Sequence, residues 1–184
     1  MRELFSQYFF NLYHAVPQGL YEFLISSFCL GSVVVFAYNG YKKGCRFIEG
    51  LLLIEYIILL FCSMVAFRPF SEIAGYELTP FWSYIAIYNG WLELIPENVM
   101  NVVVFVPIGI LLGTLSRSMT WRGSLLIGCG ISVFIEALQF ILKRGFAETD
   151  DIIHNTLGCL IGYGVYSLVR MGYEKLSKRR VSVS

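Results

Sequence analysis

Apolar residues in this chain come in long runs separated by short polar connectors. The runs at residues 20–38, 47–67, 96–116, 123–142 and 152–169 each approach the roughly 20 residues that carry a helix across a hydrocarbon core. They predict five transmembrane helices. Ahead of them, Phe5, Phe9, Leu12 and Val16 recur at helical spacing among Arg2, Glu3, Gln7 and His14. That segment is too short and too polar to span, and it predicts an N-terminal interfacial helix ended by Pro17 and Gly19. The longest connector, residues 68–97, carries Trp82, Tyr84, Tyr88 and Trp91. Tyr and Trp favour the headgroup level, so the stretch PFWSYIAIYNGW predicts a short interfacial or re-entrant element in the outer loop between helices 2 and 3. The expected fold class is an all-α membrane protein, with residues 1–184 forming a single membrane domain.

Composition agrees with the pattern. The chain is 57% hydrophobic and 15% charged, against about 25% charged in a soluble domain, and its mean hydropathy is +0.65. The formal charge of +1 says nothing about partners, because in a membrane protein the distribution of charge carries that information; the expected partner is the lipid bilayer, and no nucleic acid is expected. The first residues do not read as a secretory signal, because Glu3 directly follows Arg2 and no small-residue cleavage site follows the first apolar run. The five cysteines include no CxxC pair, and the two histidines, His14 and His154, are too few for a histidine metal site. No metal or cofactor is expected. The cysteines read as small packing residues.

The basic residues orient the chain. Ten of the fourteen Lys and Arg residues fall in loop 1–2, loop 3–4 and the C-terminal tail. The positive-inside rule therefore puts the C-terminus in the cytoplasm and the N-terminus outside, in a multi-pass protein of the cytoplasmic membrane.

That topology gathers the unusual polar residues. Asn98 and Asn101 begin helix 3, Glu136 and Gln139 end helix 4, Arg144 lies in the loop after it, and Asp151, His154 and Asn155 begin helix 5. Alternating helix directions bring all of them to the outer leaflet, with Glu136 about 9 Å below the outer end of its helix. Glu136 and Asn155 are expected on facing sides of helices 4 and 5. Glu and Gln at i, i+3 share a helix face, as do Asp151 and Asn155 at i, i+4. Each also has a plainer reading. Asp150 and Asp151 suit a helix start, and asparagines bond neighbouring helices. Arg144 can pair with Glu136 or Asp151, or bind an anion. Glu136 is the hardest to explain as packing, because an acid at that depth is costly. Glu55, a second deep acid, either joins the cluster from below or is a protonated packing residue, the second being the favoured reading. Gly145 is placed to end helix 4, Pro107 to kink helix 3, and Gly109, Gly113, Gly158 and Gly162 to allow close helix contact.

Asn101, Phe105, Pro107 and Gly109, then Glu136 and Gln139, then Arg144, Asp151, Asn155 and Gly158 form an ordered set that resembles the VanZ-like family of bacterial membrane proteins. Pro80 and Phe81 resemble its outer Pro-Phe element. The resemblance covers residues 68–166, the VanZ-like core. One departure is Ala147–Glu148, where many members have an aspartate soon after the Arg-x-Phe. The resemblance implies a cell-envelope protein associated with low-level resistance to teicoplanin-type lipoglycopeptides. An outward polar pocket would suit a lipid-linked cell-wall precursor or the lipoglycopeptide itself. The alternative is an intramembrane enzyme on an outer-leaflet substrate, with Glu136 as acid or base and Arg144 as anion clamp. Against it, the set holds no nucleophile paired with a base. A small transporter is a weaker alternative, since neither inverted repeats nor polar residues on the cytoplasmic half of helices 3–5 are present.

Overall fold

The computed structural model describes residues 46–116 and 118–181, together with Glu3, Leu4, Ser6, Ile25 and Phe28. The expected N-terminal interfacial helix and first span otherwise lie outside the described residues. Four helices among those described are long and apolar enough to cross a membrane. Helix α1 is Arg46–Phe61 and continues into a π-helical turn, Cys62–Ala66. Then come strand β1 (Gly75–Glu77), the short helix α2 (Trp82–Tyr88), α3 (Leu94–Leu115), α4 (Trp121–Leu142), strand β2 (Phe146–Glu148) and α5 (Thr149–Val181). Pro107 lies within α3.

The outward surface of the helices is apolar at helical spacing. Phe47, Leu51, Ile54 and Ile58 on α1, Val99 and Val103 on α3, and Leu157, Ile161 and Leu168 on α5 are all exposed. A soluble protein would bury such faces; here they suit lipid. The core between helices is formed by Leu60, Met64, Val65, Phe105, Ile108, Leu112, Ile135 and Cys159.

Lipid tails offer little hydrophobic reason for helices to associate, so contact depends on close packing. Helices α3 and α5 achieve it through glycine. A Cβ at Gly109 would collide with the backbone of Cys159 and Tyr163, one at Gly158 with the Val102 carbonyl, and one at Gly162 with the Val106 carbonyl. Each helix thus places its backbone in the gap left by the other. On α4, Ser124, Gly128, Ser132 and Glu136 repeat every four residues and are buried along one face. That face meets α5: the Ser124 hydroxyl donates to the Cys159 carbonyl at 3.3 Å, and Asn155 Nδ2 donates to Ser132 Oγ at 2.9 Å.

The connectors differ from expectation in two respects. They hold a two-stranded parallel sheet, with Gly75 opposite Phe146, Tyr76 opposite Ala147 and Glu77 opposite Glu148. Parallel strands need a long crossover, and here α2, α3 and α4 supply it. Gly145 does not itself end α4; Lys143 does, in the left-handed conformation at φ 53°, with Gly145 following at φ 107°. The fifth expected span also begins at Thr149 rather than residue 152, and its helix runs on through the basic tail to Val181.

The glycine packing gives a paired test. Gly158→Ala is expected to lower thermal stability in detergent micelles by about 1–3 kcal/mol, because the carbonyl it meets is backbone and cannot move aside. Gly164→Ala, on the same helix with open space around it, is expected to be neutral or to stabilise by up to about 1 kcal/mol.

Candidate functional site

The end of the bundle that carries β1, β2 and α2 collects the polar residues singled out above. Several of them satisfy backbone groups. The last four carbonyls of a helix lack intrahelical partners, and the π-turn ends inside the bundle. Gln139 Nε2 donates to the Met64 carbonyl at 2.9 Å. Arg144 Nη1 donates to the carbonyls of Ala66 and Arg68, at 2.5 and 3.1 Å. Arg144 is therefore not paired with Glu136 or Asp151. Through Nη1 its guanidinium closes the end of the α1 segment.

Asp150 also acts away from its own helix. Its carboxylate accepts the backbone N–H of Phe81 and Ser83, at 2.5 and 2.9 Å, and the Ser83 hydroxyl. These are the free donors at the start of α2, so α5 caps α2 from across the connector. Asn98 Nδ2 donates to Ser83 Oγ at 3.1 Å, and Tyr84 Oη lies 2.9 Å from His154 Nε2. Asn98, Asp150 and His154 thus hold α2 in place.

The remaining residues form a more demanding set. Glu136 and Asp151 are buried. Glu136 accepts the Glu148 N–H at 3.0 Å, and Asn101 Nδ2 donates to Asp151 at 2.6 Å. Among the described residues, Glu136 Oε1, Gln139 Oε1, His154 Nδ1 and Asn155 Oδ1 have no hydrogen-bond partner. Such orphans are rare in folded proteins and mark places where the fold alone does not explain the chemistry.

Sequence reasoning did not single out three members of this set. Arg68 is the cation whose field reaches both Glu136 and Asp151, and it lies 3.9 Å from Glu97. Its place just after a predicted span was the available signal. Glu148, half-buried in β2, takes the Trp82 indole N–H at 3.0 Å. Burial pushes its carboxyl up to about 8, with the charges of Asp151 and Glu97 adding to the effect and the Trp82 bond opposing it. Its neighbour in register, Glu77, is held below the usual carboxylate range by the Thr79 hydrogen bond.

Two outcomes follow. Between its ordinary value of 4.5 and about 8, folded Glu148 keeps a proton that the unfolded chain releases. Its contribution to stability is fully present below about 4.5 and lost as pH rises through about 8. Thermal melts in micelles across that window should show a smaller fall for Glu148→Gln than for the wild type. Arg144→Gln strips donors from two backbone carbonyls and should cost about 1–3 kcal/mol for each one left buried and unmet, read as lost membrane abundance.

No solved structure matches the chain. It is 30% identical over 84 residues to Protein VanZ of Enterococcus faecium, an alignment covering 45% of this chain and 52% of that protein. The chain therefore spans about half the length of that relative. The VanZ/LLP1 profile matches residues 47–170, which takes in α1 but for its first residue, α2, α3, α4, both strands, α5 as far as Arg170 and every residue of the polar set. On that match the chain belongs to the VanZ/LLP1 family.

Proposed function

We propose that this chain is an integral protein of the bacterial cytoplasmic membrane that lowers susceptibility to teicoplanin-type lipoglycopeptides, acting through the polar set at its connector end. Family membership and the partial match to Protein VanZ support the first part. One observation carries the second: Glu136 and Asp151 are buried, Arg68 is the cation that acts on both among the described residues, and atoms of Glu136 and Gln139 remain unmet. Keeping acids at such depth costs several kcal/mol unless they are neutral or paired. A fold that needed only packing would have apolar residues there.

The distribution of Lys and Arg supports an outward-facing connector end, with the C-terminus in the cytoplasm. Phe70, Tyr76, Phe81, Tyr84, Tyr88 and Trp91 are exposed at that end, which suits the headgroup layer of the outer leaflet. A lipid-linked cell-wall precursor or a lipid-anchored glycopeptide would present its polar part at that depth. Residues 47–170 are the working unit on this reading, and the binding candidates are Asn101, Glu136, Gln139, Asp151 and Asn155 with Arg68. Asn98, Arg144 and His154 support them by fixing α2 and the end of the α1 segment.

The orientation is tested by cysteine labelling. A cysteine placed in the C-terminal tail of a cysteine-free variant should resist an impermeant reagent applied to intact cells, while one at Tyr88 should react. The site is tested by growth in teicoplanin. Glu136→Gln keeps the shape and can still accept the Glu148 N–H, so membrane abundance should stay unchanged while protection is lost. Arg68→Gln should behave the same way. The double variant should be little worse than either single, because residues of one network are not additive. Full protection from both single variants would return the set to a packing role.

A further inference from the structure

The connector end gathers acidic side chains. Glu136 and Asp151 lie within reach of each other and of Arg68, and Glu148 within reach of Asp151 and Glu97. The neighbouring ionic groups are already engaged. Asp150 accepts three donors from Phe81 and Ser83. Arg144 Nη1 donates to two carbonyls, and Lys143 Nζ donates to the Glu72 carbonyl at 3.0 Å. Among the described residues, Arg68 is the cation that acts on both buried acids, Glu136 and Asp151.

A second observation is independent of charge. Gln139 is fully buried, and its donation to the Met64 carbonyl fixes which way its amide points. The atom left over, Oε1, is an acceptor without a donor, as is Glu136 Oε1 one helical turn away. A Cβ on Gly145 would lie 3.1 Å from Arg68 Nη1 and 3.4 Å from Gln139 Cδ. The Gln139 amide and the Arg68 guanidinium therefore lie over the same glycine, so the orphaned acceptor lies beside the cation that acts on Glu136 and Asp151. Its accessible edge is the Arg68–Glu97 pair, whose side chains are 27% and 32% exposed and whose 3.9 Å separation is too long for a hydrogen bond.

An anion entering here would meet four carboxyl groups. A metal ion would need three ligating side chains together, and no such group occurs among the described residues. A primary ammonium brings one positive charge and three N–H donors, and needs no acceptor of its own. We propose that Glu136, Gln139 and Asp151, entered past Glu97, form a binding site for a primary ammonium group, carried by a lipid headgroup or by a soluble amine. This rests on the reading above that the connector end is where the protein acts, and it names the chemistry bound there.

Native mass spectrometry of the full chain released from micelles tests it. Phosphatidylethanolamine, phosphatidylcholine and phosphatidylglycerol are offered in equal amounts. The choline headgroup keeps the charge but has no N–H, so it separates donation from charge. Phosphatidylethanolamine should be retained about tenfold over both others, the scale of a charge-assisted contact. That preference should vanish in Glu136→Gln and in Glu97→Gln, the latter half-exposed and safe for the fold. Ethylammonium chloride is titrated separately by calorimetry. Binding of ethylammonium with no lipid preference, lost in the same variants, assigns the site to soluble amines. Equal retention of the three lipids with no ethylammonium binding overturns the proposal, as does a preference that survives both variants. The teicoplanin assay is read independently. Loss of protection in Glu136→Gln without ammonium binding sinks only this inference, while ammonium binding with protection intact sinks the functional reading.

Discussion

The connector end is organised by one constraint: no backbone polar group can be left unmet where water is scarce. The π-turn of Cys62–Ala66 ends against α4, so its final carbonyls cannot turn to solvent. Gln139 and Arg144 meet two positions of that end, and Arg68 N–H closes on the Val65 carbonyl at 3.3 Å. The start of α2 poses the opposite problem, free donors instead of free acceptors, and Asp150 meets it. A large share of the polar chemistry at this end is thus fixed before any ligand is considered. What remains after that accounting is small and specific: Glu136, Asp151 and Arg68, with the orphaned oxygens beside them.

Much of this was legible in the chain. Hydrophobic runs located the four spans seen here because lipid demands continuous apolar length, and helix alternation put the ends of α3, α4 and α5 on a common level. The glycines of α3 and α5 were readable because four-residue spacing keeps them on one face. What the chain does not show shares one cause. Arg144 and Asp150 have partners 67 to 78 residues away in sequence, and local spacing carries no trace of such contacts. Strands of three residues are too short to show alternation. Arg68 shares no helix with the acids, so no spacing links it to them, although it stands at the exit of a span.

Asp150 and Asp151 show how finely the tasks divide. Successive helical residues point about 100° apart. That rotation turns one carboxylate toward α2 and the other toward Asn101 and the interior. Adjacent and chemically identical, they serve as a fastening and as a member of the polar set, so a motif that records only two acids merges two different roles. The same holds for Gln139, whose nitrogen secures the fold while its oxygen belongs to the unmet group.

The parallel pairing of β1 with β2 bears on how the protein is made. Most of what fastens the end of the α1 segment, the short helix and the first strand comes from residues after 138, and α3 finds its glycine partner in α5. Emerging from the ribosome, the first half of the chain enters the membrane with its carbonyls, its strand edge and its glycine groove all awaiting residues still untranslated. Assembly is accordingly a late, concerted event governed by arrival of the last span, and a nascent chain that stalls before residue 149 is a natural substrate for membrane quality control.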